Sequence, residues 1–174
     1  NSRLCMASAA ASYKRSLGSD TVPACYEDLE IADLIVITGS NAAWAHPVLF
    51  QRISAAKQQR PHMKIVVVDP RKTATCDIAD LHLALRPGSD GFLFSALQAY
   101  LADNHHLDED FIALHTQNFE ATLAQAKHSA GSLQQTADVL DVSADDLQTF
   151  FRWFAATEKS LTLYSQGINQ SATG

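Results

Sequence analysis

The run Leu34-Ile35-Val36-Ile37-Thr38-Gly39-Ser40-Asn41 decides the class of fold. Its first five residues are apolar or β-branched, with no alternation of polar and apolar positions. Such a run describes a strand covered on both faces, and Gly39-Ser40-Asn41 ends it in a tight turn. Reading outward, Pro47 stands in the first turn of a helix whose apolar face is read as Val48, Leu49, Arg52, Ile53 and Ala56 before Pro61. Lys64-Ile65-Val66-Val67-Val68 then repeats the strand pattern and stops at Asp69-Pro70-Arg71. A strand-helix-strand unit without alternation in its strands predicts a parallel sheet flanked by helices.

A third unit follows, with a short helix over 73–78, a strand over 81–85, the turn Pro87-Gly88-Ser89-Asp90, and a helix over 91–101. On the other side, 8–17 is helix-compatible and closed by Gly18, and 26–31 makes a helical turn. From about 104 to 158 the pattern is helical only. Ser143 is the expected N-cap of its best segment, with Asp146 at the third helical position. Leu147, Phe150, Phe151 and Phe154 fall at i, i+3, i+4 and i+7, a stripe read as core. Ser160–Tyr164 is the last strand, and 166–174 reads as a polar loop. The expectation is one α/β domain over 1–174, Rossmann-like, with a helical segment before the last strand.

The composition bounds what such a domain does. There are 174 residues, 47% hydrophobic and 18% charged, with a formal net charge of −6. That is enough apolar side chain for a core, and it excludes a disordered chain. The acidic balance argues against non-specific nucleic-acid binding, which needs a basic face. No apolar run approaches the roughly 18 residues of a membrane span. The chain starts without Met or a signal-peptide pattern, and both ends read as cut. Cys5, Cys25 and Cys76 are odd in number and far apart, which fits neither a disulfide framework nor a Cys-x-x-Cys site and suits a reducing cytoplasm. Cys25 and Cys76 are read as structural.

In an open parallel sheet, ligands bind outside the carboxyl ends of the strands. The loops there carry Gly39-Ser40-Asn41, Asp69-Pro70-Arg71 and Pro87-Gly88-Ser89-Asp90. Gly39 allows close approach of backbone to a ligand. Asp69 ends the second strand, where dinucleotide-binding folds place the carboxylate for ribose hydroxyls. Arg71 suits a phosphate. Asp90 suits the paired donors at N1 and N2 of guanine, which adenine lacks. Each residue also has an ordinary reading, as turn former or helix cap. There is no Gly-x-Gly-x-x-Gly after a strand and no Gly-Lys-Ser/Thr. Of the seven histidines, His105-His106 sit in a helix break and His46 precedes Pro47 at a helix start; none has a metal-ligand spacing.

As a set, the segments Asn1-Ser2-Arg3-Leu4-Cys5-Met6-Ala7-Ser8-Ala9, Gly39-Ser40-Asn41-Ala42-Ala43-Trp44-Ala45-His46-Pro47, Val68-Asp69-Pro70-Arg71-Lys72-Thr73, Ala79-Asp80-Leu81-His82, Arg86-Pro87-Gly88-Ser89-Asp90 and Gly167-Ile168-Asn169-Gln170 with Gly174 resemble the molybdopterin oxidoreductase family. Within it the chain looks most like the assimilatory nitrate reductases. The resemblance implies molybdenum held by two molybdopterin guanine dinucleotides, in a subunit that also carries a 4Fe-4S cluster outside this stretch. It implies Cys5 as the protein ligand to the metal, a soft donor suited to a sulfur-rich centre. Cys5 and Met6 would be the catalytic residues, Met6 being the nitrate-reductase pattern where similar formate dehydrogenases carry His.

It implies Gly39, Ser40, Asn41, His46, Asp69, Pro70, Arg71, Pro87, Gly88 and Asp90 around the guanosine diphosphate end of one dinucleotide, with Gly167 and Gln170 near the pterin. The implied reaction is reduction of nitrate to nitrite by oxygen-atom transfer. The implied partners are nitrate, an electron-donor protein or reductase subunit, and further domains of the same subunit, in the cytoplasm, with no nucleic acid or membrane. Asn169-Gln170-Ser171 matches a glycosylation sequon, by chance in such a setting. Periplasmic nitrate reductase, formate dehydrogenase, a guanine-nucleotide module using the same loops, and a cofactor-free structural relative stay open.

Overall fold

The computed structural model describes residues 6–171, so Cys5 and Gly174 lie outside the described residues. Helices α1 (Ala7–Leu17) and α2 (Asp28–Ile31) precede strand β1 (Leu34–Thr38). Helices α3 (Ala42–Ala45) and α4 (Pro47–Gln59) lead to β2 (Lys64–Val68), and a 3-10 turn (Ala74–Ile78) leads to β3 (Leu81–Leu83). Then come α5 (Asp90–Asp103), α6 (Glu109–His115), α7 (Phe119–Ala130), α8 (Leu133–Leu140), α9 (Ala144–Ala156), β4 (Ser160–Tyr164) and α10 (Gln166–Asn169). The four strands form one sheet in the order β3-β2-β1-β4, every neighbouring pair parallel. The expected α/β sheet flanked by helices is present.

Burial explains the unalternating strands. All five residues of β1 are buried, because the sheet is covered on both sides. Leu34, Val36, Val66, Val68 and Leu83 face a core completed by Leu93 and Leu97 of α5, Leu140 of α8, and Leu147, Phe150 and Phe151 of α9. Ile35, Ile37, Ile65 and Val67 face the opposite way, onto Leu29, Ile53, Ala56 and Met63. Each fully buried side chain of this kind stabilises the fold by about 1.5–3 kcal/mol relative to exposure. Asp80 fastens one end of the sheet: its carboxylate accepts from the Ile65 amide at 2.8 Å and pairs with Lys57 at 2.7 Å. Ser143 caps α9 as expected, accepting from the Asp146 amide at 3.4 Å.

Several expectations are corrected. The strand expected over 81–85 stops at Leu83, because β2 ends at Val68, its register partner; Leu85 is nevertheless buried. The loop expected over 166–174 contains the helical turn α10, closed by the Ile168 and Asn169 amides donating to Ser165 O. Val48, expected on the buried face of α4, is 68% exposed, since the helix buries only the narrow stripe through Ile53 and Ala56. Arg52, on the same expected face, instead pairs with Glu30 at 2.7 Å. Phe154 is only half-buried, unlike Phe150 and Phe151. Cys76 is buried, which pushes its thiol pKa up, but Cys25 is exposed at the entry to α2.

Candidate functional site

Chain order and sheet order together locate the site. From β1 the chain moves outward to β2 and β3, then returns to place β4 on the other side of β1. The connections therefore diverge between β1 and β4, and a crevice opens at the carboxyl ends of the strands. A cleft of about 370 Å³ lies there, lined by Gly39, Asn41 and Ala45 after β1, Asp69, Pro70 and Arg71 after β2, Pro87, Gly88 and Asp90 after β3, and Ser165, Gln166 and Gly167 after β4. All four strand ends contribute, and the size suits a small organic ligand.

Two glycines make the floor. The Gly167 amide donates to Gly39 O at 2.9 Å, and the Gly39 amide donates to Val68 O at 2.9 Å. A Cβ on Gly167 would lie 2.6 Å from Gly39 Cα, and one on Gly39 would lie 2.9 Å from Gly167 Cα. Gly39 also holds φ +55°, where side chains are strained. This backbone contact brings the last loop against the first.

The polar walls are equally fixed. Asp69 is 4% exposed; its Oδ1 accepts from the Arg71 amide at 2.8 Å, and the Arg71 guanidinium stands 3.6 Å away. His82 holds the same turn through a 2.8 Å hydrogen bond between Nε2 and Asp69 O. Asp90 opens α5 and accepts from Thr38 Oγ1 at 3.3 Å. Burial pushes the Asp90 pKa up, and the nearby Asp69 charge adds to the rise; its own backbone amide and the Thr38 hydroxyl offset part of it. Asp90 also borders an apolar cavity of about 300 Å³ lined by Phe94, Phe154, Thr162, Tyr164 and Ile168. The cleft thus offers a cation, buried or half-buried carboxylate acceptors, an amide, and close backbone.

Of the residues expected here, the structure gathers Gly39, Asn41, Asp69, Pro70, Arg71, Pro87, Gly88, Asp90 and Gly167 on one cleft. Ser40 is buried behind it, while His46 and Gln170 are exposed and do not line it. Met6 borders a different cavity, of about 500 Å³, between α1 and β4. Cys5 lies outside the described residues. Among the described residues no cluster of His, Cys, Asp and Glu is arranged to hold a metal ion. Ala45, Ser165 and Gln166 were missed, although the strand-end rule that found the other loops applies to β4 as well.

The molybdopterin oxidoreductase profile matches residues 1–174, the whole chain. The chain belongs to the molybdopterin oxidoreductase family. It is 50% identical to the nitrate reductase of Klebsiella oxytoca over 174 residues, covering all of this chain and 19% of that protein. It is 48% identical to the nitrate reductase of Shewanella frigidimarina over 174 residues, again covering the whole chain and 18% of that protein. It therefore spans about a fifth of the length of these relatives. Acetylene hydratase from Pelobacter acetylenicus shares the fold, with a TM-score of 0.79 at 22% identity, over 95% of this chain and 22% of that one. Membership of this family implies a cofactor of molybdenum and pterin.

Proposed function

We propose that this chain is the part of a nitrate-reducing molybdenum enzyme that holds the guanosine diphosphate end of a molybdopterin guanine dinucleotide. The observation that carries the reading is the convergence of Asp69, Arg71, Asn41 and Asp90 on one cleft floored by Gly39 and Gly167. The donor set fits the group. A ribose offers hydroxyl donors to Asp69, a diphosphate offers negative oxygens to Arg71 and the Asn41 amide, and guanine offers N1–H and N2–H₂ to Asp90. The glycine floor would be filled by any Cβ, as expected where backbone must approach a ligand closely.

When bound, the cofactor supplies two-electron oxygen-atom transfer at molybdenum. The protein's share is to bind and orient it. Asp90, ionised, accepts the two guanine donors, and Thr38 fixes its carboxylate. Asp69 is held by the Arg71 amide in the orientation that faces the cleft. Cys5 would be the protein ligand to the metal by its sequence setting, with Met6 next in the chain. To the whole protein we assign the reduction of nitrate to nitrite, in the cytoplasm. A 4Fe-4S cluster, further domains and an electron donor are supplied from outside this chain.

The reading is tested by titrating the chain with GDP, ADP and NAD while following thermal unfolding. Stabilisation grows with ligand concentration over Kd, so even millimolar binding registers. GDP should stabilise more than ADP, and Asp90→Ala should erase that preference. Equal responses to GDP and ADP, or a preference that survives Asp90→Ala, would overturn the guanosine assignment.

A further inference from the structure

The hydrogen bonds around Thr75 fix a direction that matters to the cleft. Thr75 lies in the 3-10 turn after β2 and is fully buried, yet it does not line the cleft itself. Its Oγ1 is 3.2 Å from the Ala43 amide nitrogen and 3.1 Å from Asn41 Oδ1. The hydroxyl oxygen accepts from the Ala43 N–H, and the hydroxyl donates its own proton to Asn41 Oδ1. Asn41 Oδ1 therefore faces Thr75. The Nδ2–H₂ half of the amide is left as the part available to the cleft that Asn41 lines.

That direction selects a ligand group. Phosphoryl oxygens carry negative charge and accept hydrogen bonds, so an Nδ2 donor attracts them and an Oδ1 acceptor would repel them. We propose that Thr75 is a positioning residue for the diphosphate of the bound nucleotide: its buried hydroxyl locks Asn41 with the amide donor toward the cleft. It also ties the loop after β1 to the turn after β2, so Asn41 and Arg71 keep their spacing. The inference rests on the guanosine diphosphate reading and adds a residue that never touches the ligand.

The test compares GDP with guanosine, by calorimetric titration of the chain carrying Thr75→Val, Thr75→Ser or Asn41→Asp. Thermal unfolding of each variant without ligand confirms that it is folded. Losing one hydrogen bond to a charged group should weaken GDP binding by Thr75→Val about tenfold or more. Guanosine binding should be unchanged, and Thr75→Ser should behave as wild type. Asn41→Asp still accepts from Thr75 but offers no donor and adds a negative charge, so it should lose GDP at least as strongly. Thr75→Val binding GDP as wild type, weakening both ligands equally, or failing to be rescued by Ser would overturn the role while leaving the guanosine site standing. A wild-type chain that binds GDP no better than guanosine would instead bring down the diphosphate reading, and this role with it.

Discussion

The layer of helices packed on the sheet and the rim of loops at the strand ends are built from opposite materials. Between the sheet and α5, α8 and α9 the contacts are made by Leu83, Leu93, Leu140, Leu147 and Phe150, all buried. At the rim, backbone meets backbone at Gly39 and Gly167, the Asp90 carboxylate accepts from Thr38, the buried Asp69 carboxylate accepts from the Arg71 amide, and His82 bonds the Asp69 backbone oxygen. The first arrangement holds the fold together. The second carries the charged and hydrogen-bonding groups of the candidate cleft. The difference predicts that stability and ligand binding respond to separate sets of substitutions.

The largest effect should come from Phe150→Ala. Truncating a fully buried Phe costs about 3–5 kcal/mol, and for a domain of this size that lowers Tm by roughly 10 °C. Once the variant is folded at low temperature, its preference for GDP over ADP should be intact; loss of that preference would break the separation of layer and rim. Gly167→Ala comes next, because its Cβ would meet Gly39 backbone at 2.6 Å. Overpacking of this kind costs about 1–3 kcal/mol, and here it should also remove GDP binding, measurable by the same titration. Unimpaired GDP binding by a folded Gly167→Ala chain would mean that the contact is not part of the site.

Asp90→Ala should do the reverse of Phe150→Ala. GDP affinity should fall about tenfold through loss of two acceptor contacts, while the ligand-free Tm should move by less than about 3 °C. A matching dependence on pH follows from the raised Asp90 pKa. The ionised carboxylate accepts from guanine, so GDP binding should weaken on acidification, beginning at a pH above the ordinary carboxylate value of 3.8. Without ligand the sign is opposite. A raised folded pKa contributes stability below the unfolded value and loses it as pH rises through the folded value. Calorimetry between about pH 7 and pH 4, with wild type and Asp90→Ala in parallel, separates the two trends. Smallest of all, Lys127→Ala removes a 2.6 Å pair between the exposed side chains of Lys127 on α7 and Asp103 on α5, and should change stability by less than about 1 kcal/mol. A larger loss would show that the helical layer depends on surface charge.

How much was legible in the sequence divides along the same line. β1, β2 and α9 announce themselves, because unbroken apolar runs and a helical stripe are the direct imprint of burial on both faces or on one. Asp69, Arg71 and Asp90 were legible because loops at parallel strand ends have a fixed address. Val48 was not, since a short helix against a sheet buries a narrower stripe than its apolar residues suggest. α10 was hidden because Gln166-Gly167-Ile168-Asn169 carries no helical pattern; it forms where Gly167 is pressed onto Gly39. Thr75 and Thr38 were invisible for the same reason. Their partners Asn41 and Asp90 are distant in the chain, and a hydroxyl's target is set only by the folded backbone.

The abutment of Gly39 and Gly167 has a practical corollary for engineering. The cost of closing a flexible loop grows only with the logarithm of its length, so segments between these two positions can be lengthened with little penalty while β4 still enters the sheet. Among the described helices, α6 exposes Phe111 and Leu114 and buries none of its residues. It is therefore a natural insertion point for a reporter, one that would travel with the domain while leaving the cleft at the strand ends undisturbed.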